Sequence, residues 1–214
     1  MQTLNLHGTW RYQPADDPDF YRPELDDSGW PGMQIPGSWF LAGLDHHGVV
    51  WFRRDFETDL APGQFATLQF DGVDYFADVF LNGVYLGRHE GYFDPFSFDV
   101  TPLLLQGRNL LAVRVDSPFE PVGPDGWHMH KQLIKGVLNH HDCRPGGGWV
   151  GEGQAYNTGG IWNRVALHIH NAVTFDQLLL HAELDAGPAA ARRPHRYKSW
   201  RRPPGSGYLH LCAG

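Results

Sequence analysis

Apolar side chains recur at every second position through much of this chain. In residues 65–100, FATLQFDGVDYFADVFLNGVYLGRHEGYFDPFSFDV, Ala66, Leu68 and Phe70 alternate with Thr67 and Gln69. Tyr75, Ala77, Val79 and Leu81 alternate with Phe76, Asp78 and Phe80. A period of two places alternate residues on one face of a strand. Asn82-Gly83 follows at once, and both residue types accept the positive φ of a two-residue hairpin. Residues 84–88 then read as the returning strand and 95–100 as the next. The same alternation predicts strands at 4–12, with Trp10 in the core, and at 50–57, with Trp51 or Phe52 inside. In residues 107–116, Leu111, Val113 and Val115 oppose Leu110, Ala112 and Arg114. Residues 164–170 and 173–180 supply two more strands. Short strands separated by turn signals, some with apolar groups on both faces and none replaced by a long amphipathic helix, predict an all-β fold built as a two-layer sandwich.

Two stretches break the pattern. Residues 117–160 are rich in glycine and proline and carry no clear strand, although LIKGVLNHH within them could form one short helix. A segment this long inside a compact domain is more often functional than decorative. After Asp185 the chain holds five Arg and one Lys and no acid, so all 24 acidic residues lie at or before Asp185. This predicts either a flexible basic tail or an out-of-frame reading of a GC-rich gene. Residues 1–185 are strongly acidic, which argues against nucleic acid as a partner. The 214 residues include two cysteines, Cys143 and Cys212, too few for a disulfide framework. No apolar run is long enough to span a membrane and no leader is visible, so the expectation is a soluble, cytoplasmic protein.

Several phrases resemble the N-terminal sugar-binding domain of glycoside hydrolase family 2, which includes β-galactosidases, β-glucuronidases and β-mannosidases. Phe70 to His89 is similar to the family's F-x-G-V-x-x-x-A-x-V-x-x-N-G-x-x-x-G-x-H. VWFRRDF at 50–56, GRNLLAVRV at 107–115 and NTGGIWNRV at 157–165 also follow its usual phrases. The likeness runs over roughly residues 4–185. It implies a galactose-binding-like jelly roll over 1–172 and the start of an immunoglobulin-like second β domain over 173–185, which leaves 186–214 as the basic tail, disordered or out of frame. It also implies a non-catalytic module in a larger β-glycosidase, with a carbohydrate (β-glycoside) ligand, downstream immunoglobulin-like and barrel domains, and contacts in a homo-oligomer. The alternative is a stand-alone carbohydrate-binding module.

A retaining glycosidase needs two carboxylates about 5 Å apart. In this family both come from a downstream barrel, so no catalytic residue is assigned here and the chain alone is expected to be inactive. Glu90, Glu120 and Glu152 read as solvated loop carboxylates. Asn139, His141, Asp142 and Arg144 are the polar types that bond sugar hydroxyls, and they are candidates to point into a substrate cleft. Trp127, Trp149 and Trp162, in or beside the long segment, serve either as packing or as platforms for the C–H face of a pyranose. Trp10, Trp39 and Trp51 read as core. In some β-glucuronidases an aspartate three residues before the Asn of NTGG meets the sugar; the matching pair here is Gln154 and Asn157. The paired glycines after Asn157 suit a packing turn. His128, His130, His140, His141 and Cys143 are metal-ligating types, but their spacing fits no known metal motif, so no metal and no cofactor are expected.

Overall fold

The computed structural model describes residues 2–119, 133 and 159–171, all of them within the unit Met1–Ala172. The strand expected at 173–180 and the tail lie outside the described residues. Among those residues the chain forms ten strands and no helix: β1 (Gln2–Asn5), β2 (Gly8–Gln13), β3 (Gly32–Ile35), β4 (Gly48–Thr58), β5 (Gln64–Phe70), β6 (Phe76–Leu81), β7 (Val84–Glu90), β8 (Phe96–Asp99), β9 (Gly107–Ser117) and β10 (Val165–Asn171). They make a four-stranded sheet in the order β1-β10-β5-β8 and a six-stranded sheet in the order β3-β2-β4-β9-β6-β7. Every pairing is antiparallel. This is the all-β sandwich that the alternation predicts.

The core lies between the sheets. Ala66, Leu68 and Phe70 of β5 face Ala77, Val79 and Leu81 of β6 and Leu111, Val113 and Val115 of β9 in one buried cluster with Trp10 and Phe52. Each large apolar side chain enclosed this way contributes about 1.5–3 kcal/mol by leaving water. The Asn82-Gly83 turn has φ of 51° and 83° at its two residues, the geometry of the hairpin that joins strands with right-handed twist. Asn82 also ties that turn to the sandwich: its amide donates to Leu103 O and Asn109 Oδ1, and its Oδ1 accepts from Leu110 N.

Two expectations need correction. Residues 4–12 are not one strand. The chain leaves the four-stranded sheet after Asn5, buries Leu6 in the core and enters the six-stranded sheet at Gly8. Alternation cannot reveal a change of sheet, because both strands send the same parity inward. The strand expected at 95–100 forms as β8, and it pairs with β5 in the four-stranded sheet rather than with β7. Trp39 is fully buried, as expected of a core residue, but it sits in a turn rather than a strand.

The acidic segment between β2 and β3 was legible only as turns, and it folds down over the outer face of the six-stranded sheet. Phe20 packs edge-on against Trp30 and Trp51, and Tyr21 stacks on Phe80. Arg53, 2% exposed, points outward from β4 into this cover. It donates to Asp27 and to the carbonyls of Phe20 and Arg22. Arg114 of β9 pairs with Asp16 in the same way.

Candidate functional site

The described part of the NTGGIW phrase begins at Gly159, and it is clamped on both sides. Trp39 N donates to Gly159 O and Gly37 N to Ile161 O, each at 2.9 Å. Gly160 exchanges backbone hydrogen bonds with Asp74, at 2.9 and 3.3 Å. A side chain at Gly159 would overlap the indole of Trp39, so only glycine lets this backbone lie against that ring. The clamp delivers Ile161 to the core, fully buried, and leaves Trp162 at the margin.

Trp162 is half-buried. Its ring stacks on Tyr92 at 4.8 Å, its Nε1 donates to Tyr92 O at 3.1 Å, and Phe93 meets it edge-on. The same indole lies directly over Gly72, where a Cβ would come within 2.6 Å of it. Tyr75, Tyr92 and Leu133 form a small buried cluster, with Phe76 and Trp162 packed against it. The Arg88 guanidinium sits 4.7 Å from the centre of the Phe76 ring. Phe93 remains 45% exposed. The outcome is an aromatic ledge whose inner rings are fixed by packing and whose outer edge meets solvent.

Beside it, Asp74 is 1% exposed and its Oδ1 accepts from the Ser117 hydroxyl at 3.1 Å. The Asp74–Tyr75 peptide bond is cis. His89 stacks on Phe96 with ring centres 4.0 Å apart. Burial pushes the His89 imidazole below its ordinary range, against the opposing pull of Asp94, the Gly91 backbone and Glu90. Among the described residues no group of three or more His, Cys, Asp or Glu side chains is placed to hold a metal ion. What the ledge presents to solvent is aromatic surface, chiefly the ring of Phe93, while Asp74 is enclosed behind it.

Of the residues singled out from the sequence, Trp162 is placed in this ledge. Trp127, Asn139, His141, Asp142, Arg144, Trp149, Gln154 and Asn157 lie outside the described residues. Sequence reasoning missed Tyr75, Tyr92, Phe93 and Asp74 as members of the same cluster. A signal existed in the aromatic pair Tyr92-Phe93 just after a strand, next to a phrase whose Gly72 anticipates close approach by a large ring.

The family model for the glycosyl hydrolase 2 galactose-binding domain-like family matches residues 46–163. The chain is 31% identical over 147 residues to a beta-galactosidase of Thermoanaerobacter pseudethanolicus, covering 64% of this chain and 20% of that protein. It is 34% identical over 133 residues to the beta-galactosidase BoGH2A of Bacteroides ovatus, covering 55% of this chain and 16% of that one. Among solved structures, the beta-glucuronidase of Bifidobacterium dentium complexed with coumarin-3-O-glucuronide superposes with a TM-score of 0.58 at 28% identity, over 80% of this chain and 30% of that one. The chain thus spans a fifth or less of the two curated relatives and under a third of the solved one.

Proposed function

Because the chain belongs to the galactose-binding domain-like family of glycosyl hydrolase 2, we propose that it acts as the non-catalytic N-terminal module of a β-glycosidase. In this reading it braces a downstream catalytic barrel and contributes loop residues to a cleft for a β-glycoside. The observation that carries the reading is the family match across residues 46–163, with an alignment that covers only 20% of the beta-galactosidase the chain resembles. Further support comes from the aromatic ledge. A pyranose presents an apolar C–H face, and the exposed ring of Phe93 complements it. The same exposed edge of Phe93 favours a second reading, a module that binds carbohydrate without a catalytic partner.

Purified chain tested with aryl β-galactoside, β-glucuronide and β-mannoside is expected to release no aryl alcohol. Hydrolysis that survives repurification would overturn the proposal. Calorimetry with galactose, glucuronate and mannose separates the two readings. Saturable binding that is lost in Phe93→Ala favours the self-sufficient module. No binding by the isolated chain favours a module that meets sugar only together with its barrel.

A further inference from the structure

The turn between β6 and β7 is a reactive sequence held in an unreactive pose. Asn82 is the only asparagine of the chain that precedes a glycine. With no Cβ to shield it, a glycine nitrogen can reach the amide carbon of the side chain before it. That attack opens the route to deamidation. The bond between Gly83 N and Asn82 Cγ forms, and the bond from Cγ to the side-chain nitrogen breaks. Ammonia leaves with the proton shed by Gly83. Water then opens the resulting succinimide ring at either carbonyl, giving aspartate or isoaspartate.

The fold turns the amide away from that route. Asn82 N donates to Leu110 O, and Leu110 N donates to Asn82 Oδ1, both at 2.9 Å. The side chain thus carries the β6–β9 pairing, which ends with Leu81 opposite Leu111, one step further. Its Nδ2 donates to Leu103 O at 2.9 Å and to Asn109 Oδ1 at 2.8 Å. Both N–H groups and the oxygen of the amide are therefore engaged. Their partners lie on β9 or in the segment before it, and none is in the turn. To approach Gly83 N, Cγ has to swing off β9, and the three side-chain bonds have to open together.

The product does not fit the place that the amide occupies. An ionised acid has no donor for Leu103 O or Asn109 Oδ1. Asn109 cannot reverse its own amide to compensate. Its Nδ2 already donates to Leu105 O and Gly107 O, and its Oδ1 accepts from Leu105 N. Asn109 is 1% exposed, so the new carboxylate meets acceptor oxygens with little water between them. Isoaspartate also inserts a backbone methylene into a two-residue turn whose geometry has no room for it. We propose that Asn82-Gly83 is a self-modification site gated by folding. It is closed in the sandwich, open in the unfolded chain, and once converted it opposes closure of the hairpin onto β9. Chains that linger unfolded thereby acquire a permanent covalent mark.

The test incubates the whole chain at mildly alkaline pH, in buffer and in guanidinium chloride, and follows the tryptic peptide Asp55–Arg88 by mass. Asn82 is the only asparagine in that peptide. In denaturant the peptide is expected to gain the mass of an amide-to-acid exchange and to split into aspartate and isoaspartate forms. In buffer the same change should run about a hundredfold slower, because three hydrogen bonds have to break first. Gly83→Ala should slow the reaction in denaturant, where folding plays no part, and so assigns the attacking nitrogen. Asn82→Asp, which imitates one product, is expected to melt about 4–8 °C below the parent. Complete failure of that variant to fold is the same result at its extreme, and the peptide measurement on the parent does not depend on it. The proposal is overturned if folded and unfolded chain react at equal rates, if the unfolded chain gains no mass at Asn82, or if Asn82→Asp melts with the parent.

Discussion

Outside the six-stranded sheet, Trp51 and Arg53 are each 2% exposed beneath residues 14–31, whereas outside the four-stranded sheet Thr3, Phe65, Ser97 and Asp99 lie open to solvent. Both sheets turn the same kind of apolar residue inward, so the contrast lies wholly in what each does with its second face. β4 is covered on both sides and runs buried through Val50, Trp51, Phe52 and Arg53; β5 is covered on one side and alternates strictly. A strand buried on both faces must also find partners for any charge it carries. Arg53 and Arg114 find theirs in the acids and carbonyls of the covering segment. The acidity of residues 16–27 is thus matched to the arginines on the sheet beneath it.

Removing Arg53 should break this arrangement most severely. Arg53→Ala strips two backbone carbonyls of their donor in a buried setting and leaves Asp27 with Arg11 alone, at an expected cost of about 1–3 kcal/mol. Urea unfolding should show it as a lowered midpoint, and a loss under 1 kcal/mol would mean the cover is not anchored there. Acid acts on the same face more gently. The Arg114 hydrogen bonds hold Asp16 below the ordinary carboxylate value of 3.8. Burial works against Asp55, but bonds from Arg108 and Arg11 hold it below that value too. A carboxylate lowered on folding contributes stability that is complete above its unfolded pKa and lost as pH falls through the folded one. Tryptophan emission from Trp30 and Trp51 should therefore change below about pH 4, and emission unchanged to pH 2 would refute the linkage. On the bare face, Ser97→Val should shift stability by no more than about 0.5 kcal/mol, as expected of an exposed strand position; a larger loss in the same urea assay would show that this face has a partner.

The elements that the sequence disclosed are those whose pattern is local. β5, β6, β7 and β9 follow from alternation within six to eleven residues, and the hairpin from Asn82-Gly83. What stayed hidden depends on residues far apart in the chain. Arg53 meets Asp27 across 26 positions and Trp162 meets Tyr92 across 70, and no periodicity encodes such meetings. Edge strand β3 was invisible as a strand because only Met33 and Ile35 of its four residues face inward. The family phrase was legible in full, yet its reasons were not: Gly72 beneath Trp162, Gly159 against Trp39, and the Asn82 amide bridging three segments appear only in the folded chain. The candidate site was read mostly onto residues 127–157, and only its Trp162 margin falls among the described residues.

The order of the four-stranded sheet bears on how the molecule comes into being. β10 stands between β1 and β5, so β1 has no neighbour in its sheet until Asn171 has been made. At a translation rate of 5–20 residues per second, β1 waits on the order of ten to thirty seconds beside the ribosome. During that interval the apolar inner faces of β5 and β8 form a half-built layer that can stick to other nascent chains. Such long-range closure slows folding and makes the arrival of β10, rather than the β6–β7 hairpin, the event that commits this sandwich to its native form.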